Sequence, residues 1–229
     1  MKKCTAIIGT LVSLLPMGQP LGIGSGAALT SVAVMLSIPE KAQAESASYY
    51  FNRGIDKYDD GDYYRSIKEF TRFIEEYPSD GNLATAYYNR GNAKDELNDY
   101  YGAIADYSKA IEINPRYAEA YLNRGVAKGN LEDYYGAIAD YSKAIEINQR
   151  YADAYYNRGN TKGRDLGEYY GAIADYNKAI EIDPMDKSAW KNRGISKKNI
   201  GDMQGACSDW KEAVSLGHND AGKLARKYC

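Results

Sequence analysis

Tyr101-Gly102-Ala103-Ile104-Ala105-Asp106-Tyr107 returns residue for residue at 135–141 and 170–176, and persists in degraded form as Gln204-Gly205-Ala206-Cys207-Ser208-Asp209-Trp210. A second marker keeps the same time. Asn-Arg-Gly ends at Gly54, Gly91, Gly125, Gly159 and Gly194, spaced 37, 34, 34 and 35 residues apart. A period of this length marks one supersecondary unit that is stacked on copies of itself. Working outward from the two markers gives five units, at 47–80, 84–117, 118–151, 152–186 and 187–220, with extra residues at Gly81-Asn82-Leu83 and near Asp165.

Each unit reads as two helices. In the second unit Tyr87, Arg90, Gly91, Lys94 and Leu97 fall on one helical stripe. Ala103, Tyr107, Ala110 and Ile111 fall on another, after a polar break at Asn98-Asp99, and Pro115 stops the chain from continuing. A glycine inside a helix costs about 1 kcal/mol relative to alanine, so its return at one register implies a close approach that a larger residue would block. Ala103, Ala137, Ala172 and Ala206 are the small residues expected opposite it.

On these residues the chain resembles the tetratricopeptide repeat family. Its unit places a large aromatic, a glycine, an alanine, an aromatic, an alanine and a proline in fixed order, here Tyr87, Gly91, Ala103, Tyr107, Ala110 and Pro115; the fifth unit opens with Trp190 and Gly194. The resemblance covers residues 47–220 and implies an all-α solenoid of five helix-turn-helix repeats that curves as a right-handed arc. Residues 219–229, with Ala221, Leu224, Ala225 and Tyr228 at helical spacing, are expected to form a capping helix over its last face. The chain departs from the family pattern at Arg53, Arg90, Arg124, Arg158 and Arg193 in place of leucine. Lys94 and its equivalents replace an aromatic, Gln149 and His218 replace proline, and Ser66 and Phe73 replace alanine.

Each arginine stands on a stripe that should meet a neighbouring helix, and each unit carries one acid in its second helix: Glu69, Asp106, Asp140, Asp175 or Asp209. The two series are expected to pair as ladders, with aliphatic stems packed and heads hydrogen-bonded. The alternative is two solvated faces that never meet, because exposed pairs contribute only about 0 to 1 kcal/mol.

Residues 1–44 read as an export signal. Lys2 and Lys3 give a positive start, apolar runs span 6–15 and 27–38, and Ala42-Gln43-Ala44 offers a cleavage site, leaving 45–229 as the repeat domain. The destination expected is a bacterial periplasm, an equivalent lumen or the exterior; an uncleaved segment would leave the protein membrane-anchored. Without residues 1–44 the chain keeps 26 basic and 30 acidic residues, a net charge of about −4. Basic residues are dispersed, so no phosphate track suggests nucleic acid as a partner.

No phosphate loop, metal-ligand cluster or nucleophile elbow is present, and the single histidine, His218, has no motif partner. No enzyme activity, cofactor, metal or small-molecule substrate is therefore expected. Cys207 and Cys229 are the two thiols left after the signal, an even pair that suits a disulfide holding the cap in an oxidising compartment.

In the family the first helices line a concave face. At its sixth position every unit here has asparagine: Asn52, Asn89, Asn123, Asn157 and Asn192. An amide both donates and accepts, which suits an extended peptide backbone, although a bond to a neighbouring helix would also explain the regularity. Beside it lie Phe51, Tyr88, Leu122 and Tyr156, with Asn92 and Asn160 one turn on. The family's carboxylate clamp is not supported, because its lysines are missing at Phe51, Ile55 and Glu119. The tyrosine pairs at 63–64, 100–101, 134–135 and 169–170 are expected to pack between paired helices. The function expected is an interaction scaffold that binds a peptide or partner segment in this groove. The competing reading is a structural, self-associating component or assembly factor of an envelope complex.

Overall fold

The computed structural model describes the backbone of residues 40–229 and the side chains from Ser46 onward; the expected export segment lies outside the described residues except for its last few, which open the first helix. Five hairpins follow one another: α1 (Glu40–Asp59) with α2 (Tyr63–Glu76), α3 (Leu83–Glu96) with α4 (Tyr100–Ile113), α5 (Ala118–Asn130) with α6 (Tyr134–Ile147), α7 (Ala152–Asn160) with α8 (Tyr169–Ile182), and α9 (Lys187–Asn199) with α10 (Met203–Ser215). The last helix is α11 (Asn219–Tyr228), and no strand occurs among the described residues. Each helix packs on the one before and the one after, so the core is a continuous seam along a solenoid.

The turn inside each hairpin is built by the same local chemistry. Gly61, Asn98, Glu132, Gly167 and Gly201 all carry positive φ, ending the first helix in the left-handed region. One residue later comes a carboxylate cap in all but the fourth hairpin, where Glu168 makes no side-chain cap bond. Asp99, Asp133 and Asp202 accept from the backbone N–H of Gly102, Gly136 and Gly205, at 3.0, 3.0 and 2.8 Å. This cap explains those three glycines, since a Cβ at Gly102 would stand well inside contact distance of the Asp99 carboxylate.

The glycines of the Asn-Arg-Gly marker serve a different contact. A Cβ on Gly91 would lie 2.7 Å from Tyr107 Cε1, one on Gly125 2.7 Å from Tyr141 Cε1, and one on Gly194 2.6 Å from Trp210 Nε1. The main group pressed onto each glycine is thus an aromatic ring of the second helix. The alanines contribute backbone: the Ala137 and Ala206 carbonyls stand 3.2 and 3.1 Å from the same Cβ positions of Gly125 and Gly194. Tyr107, Tyr141, Tyr176 and Trp210 are all buried as a result.

Neighbouring hairpins close over each other's apolar sides. Ala110, Ile111 and Ala120 form one such cluster with Tyr87, Tyr117 and Tyr121 around it, and Ala179, Ile180 and Ala189 repeat it two units on. At the C-terminal end α11 covers the last hairpin. Ala221 is fully buried, Tyr228 stacks 5.8 Å from Trp210, and Cys207 and Cys229 are joined with an S–S distance of 2.09 Å.

The tyrosine pairs divide. Tyr63, Tyr100, Tyr134 and Tyr169 are half-buried, but their following partners Tyr64, Tyr101, Tyr135 and Tyr170 are 72–76% exposed. The expectation of packing for both members is corrected for the second. Two successive residues point about 100° apart on a helix, so only the first can face the partner helix.

Candidate functional site

The arginine and acid series do meet, within each unit. Arg90 grips Asp106 through Nε (2.9 Å) and Nη2 (2.7 Å), Arg124 grips Asp140 (2.9 and 2.6 Å), Arg158 grips Asp175 (3.0 and 2.6 Å), and Arg193 grips Asp209 (2.8 and 2.7 Å). A lysine one turn further completes each carboxylate: Lys94, Lys128, Lys162 and Lys197 stand 2.7 to 2.9 Å from it. The aspartates are buried, and each arginine lies against the preceding aromatic, as Arg124 does at 5.4 Å from the Tyr121 ring centre. In the first unit Arg53 meets Glu69 through one contact of 3.2 Å, leaving Glu69 Oε2 buried without a partner.

The third donor of each arginine, Nη1, reaches back to the unit before. It bonds Thr71 from Arg90, Ser108 from Arg124, Ser142 from Arg158 and Asn177 from Arg193, at 2.7 to 3.0 Å. One guanidinium therefore locks its own hairpin and fastens it to its neighbour. The sequence reading missed these receiving residues, although a hydroxyl or amide recurring there in step with the repeat was the signal.

The asparagines of the other face divide in use. Asn123 donates from Nδ2 to Asn92 Oδ1 (2.9 Å) and Tyr88 Oη (3.1 Å), and Asn192 makes the same pair of bonds to Asn160 Oδ1 (2.9 Å) and Tyr156 Oη (3.2 Å). Tyr107 and Tyr176 donate to Asn92 and Asn160, each at 2.8 Å. These amides thus tie the second hairpin to the third and the fourth to the fifth. Asn89 and Asn157 are half-buried and Asn52 is exposed. Phe51 packs on Phe73 (5.3 Å) and Leu122 is buried, so both belong to the core seam, and Tyr88 stacks on Tyr117 at 4.8 Å.

Two clefts open along the first helices. The smaller, about 210 Å³, lies between α1 and α3 and is lined by Ile55, Tyr58, Asp59, Phe70, Asn89 and Asn92. The larger, about 480 Å³, lies between α7 and α9, lined on one side by Tyr156, Asn160, Gly163 and Arg164 and on the other by Lys191, Asn192, Ile195 and Asn199. Here α7 ends in a π-helical turn, Thr161–Asp165, which absorbs the extra residue the sequence placed near Asp165. The walls mix apolar, amide and charged groups, a composition that binds polar chain better than a compact apolar ligand.

Burial sets the acidities around the groove. It pushes the Tyr58 phenol up to about 12 and raises Tyr107, Tyr141 and Tyr176 further. Asp95 is raised as well, chiefly by burial and then by the adjacent Glu96 charge, and its Oδ1 is buried with no hydrogen-bond partner. Among the described residues no group of histidine, cysteine and carboxylate side chains is placed to hold a metal ion.

Family models match the chain in three stretches: a tetratricopeptide repeat at 84–117, and the TPR repeat at 129–164 and 162–201. Solved structures align over most of their own length. A crystal structure of MamA protein is 26% identical and superposes with a TM-score of 0.68 over 76% of this chain and 92% of that one. A MamA structure from Desulfovibrio magneticus RS-1 is 19% identical, with a TM-score of 0.68 over 75% of this chain and 95% of that one. The crystal structure of YrrB, described as a TPR protein with an unusual peptide-binding site, is 21% identical, with a TM-score of 0.67 over 82% of this chain and 96% of that one. No curated protein sequence matches the chain.

Proposed function

Starting from the fact that this chain is a tetratricopeptide-repeat protein, we propose that it is an interaction scaffold that takes an extended segment of another protein in the groove along α1, α3, α5, α7 and α9. The observation that carries the reading is the division of labour between the two faces of the first helices. On one flank Arg90, Arg124, Arg158 and Arg193 are each consumed in a closed network of charge-assisted bonds. On the other, the clefts present Asn89, Asn199, Tyr156 and Lys191 to whatever enters. Amide and tyrosine hydroxyl groups spaced along successive helices match the recurring N–H and C=O groups of an extended backbone.

The test is affinity selection of a random dodecapeptide pool on the full chain, followed by the variant Asn89→Ala, Asn199→Ala. The reading expects peptides to be retained by the parent and weakened at least about tenfold by the double variant, two polar contacts being worth roughly 1 kcal/mol each. Asn123, Asn192 and Tyr156 are poor probes, because their hydrogen bonds hold hairpins together. Retention of no peptide, or retention that the double variant leaves unchanged, overturns the reading.

We place the protein outside the cytoplasm. The signal-like residues 1–44 and the Cys207–Cys229 pair both suit an oxidising compartment. Intact mass of protein recovered from its native host tests both at once: residues 45–229, gaining two hydrogens on reduction, is the expected result, and a full-length reduced chain contradicts it.

A further inference from the structure

The groove has two unlike ends. At the thirteenth place of successive units stand Asp59, Glu96, Asn130, Arg164 and Asn199, so one register is acidic in the first two units, neutral in the third, basic in the fourth and neutral in the fifth. The first cleft is bordered by Asp59, and Asp95 lies beside Asn92 on the same stripe of α3. The second cleft is bordered by Arg164 and Lys191, with no carboxylate in its lining.

The basic end is shaped to reach a ligand. The π-helical turn carries Arg164 outward, where its side chain is 81% exposed while Asp165 Oδ1 holds only Nε, at 2.9 Å. Both terminal nitrogens keep donors for another acceptor. Gly163 lets α7 lie close to its neighbours, since a Cβ there would meet Ala172 Cβ at 2.9 Å and Ser196 Oγ at 3.2 Å. Apart from Asp165, held against Arg164 Nε, the acids Asp153, Asp183 and Asp186 line a neighbouring depression at the N-terminal ends of α7 and α9.

The acidic end is complementary. Glu96 is exposed and is met only by the hydroxyl of Tyr58, which lines the first cleft, at 3.4 Å. In the second unit Arg90 and Lys94 are turned to Asp106 on the other flank, and in the first Arg53 is turned to Glu69 and Lys57 to Asp60.

Resting on the peptide-groove reading above, we propose that the groove is polarised and accepts an extended peptide in one direction, seating a peptide carboxylate between Arg164 and Lys191 and a basic side chain at Asp59 and Glu96. Opposite charges at the two ends would reject the reversed peptide, because like charges would then face each other at both.

The experiment sequences the dodecapeptides that the full chain retains from two pools, one amidated and one with free C-termini. The parent should enrich peptides with acidic residues towards one end and basic residues towards the other. Enrichment in both pools assigns the carboxylate to a side chain, and enrichment of the acidic end in the free pool alone assigns it to the chain terminus. The variant Arg164→Glu, Lys191→Glu, whose fold is checked by circular dichroism, should bind the best parental peptide at least about tenfold more weakly, and the loss should shrink as salt is raised. If peptides are retained without charge order, or the variant binds them as the parent does, the polarity is wrong while the groove stands. If no peptide is retained at all, the groove reading fails and takes this one with it.

Discussion

The Arg124 guanidinium lies across Asp140, with Nε 2.9 Å from Oδ2 and Nη2 2.6 Å from Oδ1, and hands its remaining nitrogen to Ser108 Oγ at 3.0 Å. Asp106, the other acid within its reach along the sequence, is taken by Arg90. A double-mutant cycle should therefore find coupling of about 1.5 to 3 kcal/mol between Arg124 and Asp140, as for hydrogen bonds between charged groups, and none between Arg124 and Asp106. Asp140→Asn alone should cost about 3 kcal/mol, because it leaves Arg124 and Lys128 without their counter-charge. Denaturant unfolding measures both.

The ring-on-glycine contact gives a steric prediction. Gly91→Leu must displace Tyr107, whose Cε1 would lie 2.7 Å from the new Cβ, so the melting temperature should fall by the equivalent of about 2 to 3 kcal/mol. A melt unchanged from the parent would refute the packing.

Glu132 gives a prediction of opposite sign. It occupies with φ 63° the place that Gly61, Gly167 and Gly201 fill in other units. Glu132→Gly removes a left-handed strain of about 1 to 2 kcal/mol, offset in part by the added freedom of the unfolded chain, and should raise the melting temperature. A lower melting temperature would show that Glu132 carries an interaction beyond its backbone.

Alkali should unfold the protein through its buried phenols. Tyr107, Tyr141 and Tyr176 are raised by burial, and Tyr58 and Tyr117 stand at about 12. A raised folded-state pKa holds its full stabilisation below the ordinary tyrosine value of 10.0 and loses it as pH climbs towards the folded value. The melting temperature should be insensitive to these groups up to about pH 10 and fall steeply above it. Phenylalanine at 107, 141 and 176 should flatten that fall.

The repeat made the solenoid legible. Asn-Arg-Gly and Tyr-Gly-Ala-Ile-Ala-Asp-Tyr each carry half of a contact, and a period near 34 residues admits few ways of joining them. Partner choice was harder to read. Arg124 has an acid in the unit before and another in its own, and periodicity fits either, so only the approach of α5 to α6 selects Asp140. The asparagines show a related limit: a fixed register is demanded equally by a ligand and by a neighbouring helix. Asn123 and Asn192 meet a neighbour, while Asn89 lines a cleft. The sign change from Asp59 to Arg164 was written in the sequence, but it gains meaning only once those positions share one groove.

Hydrogen–deuterium exchange of the full chain, with and without the best peptide selected from the random pool, tests the interaction surface most directly. Protection confined to α1, α3, α5, α7 and α9, strongest near the cleft between α7 and α9, is the result the groove predicts. Protection instead on the helix faces carrying Tyr64, Tyr101, Tyr135 and Tyr170 would contradict it and move the binding surface to the opposite side of the solenoid.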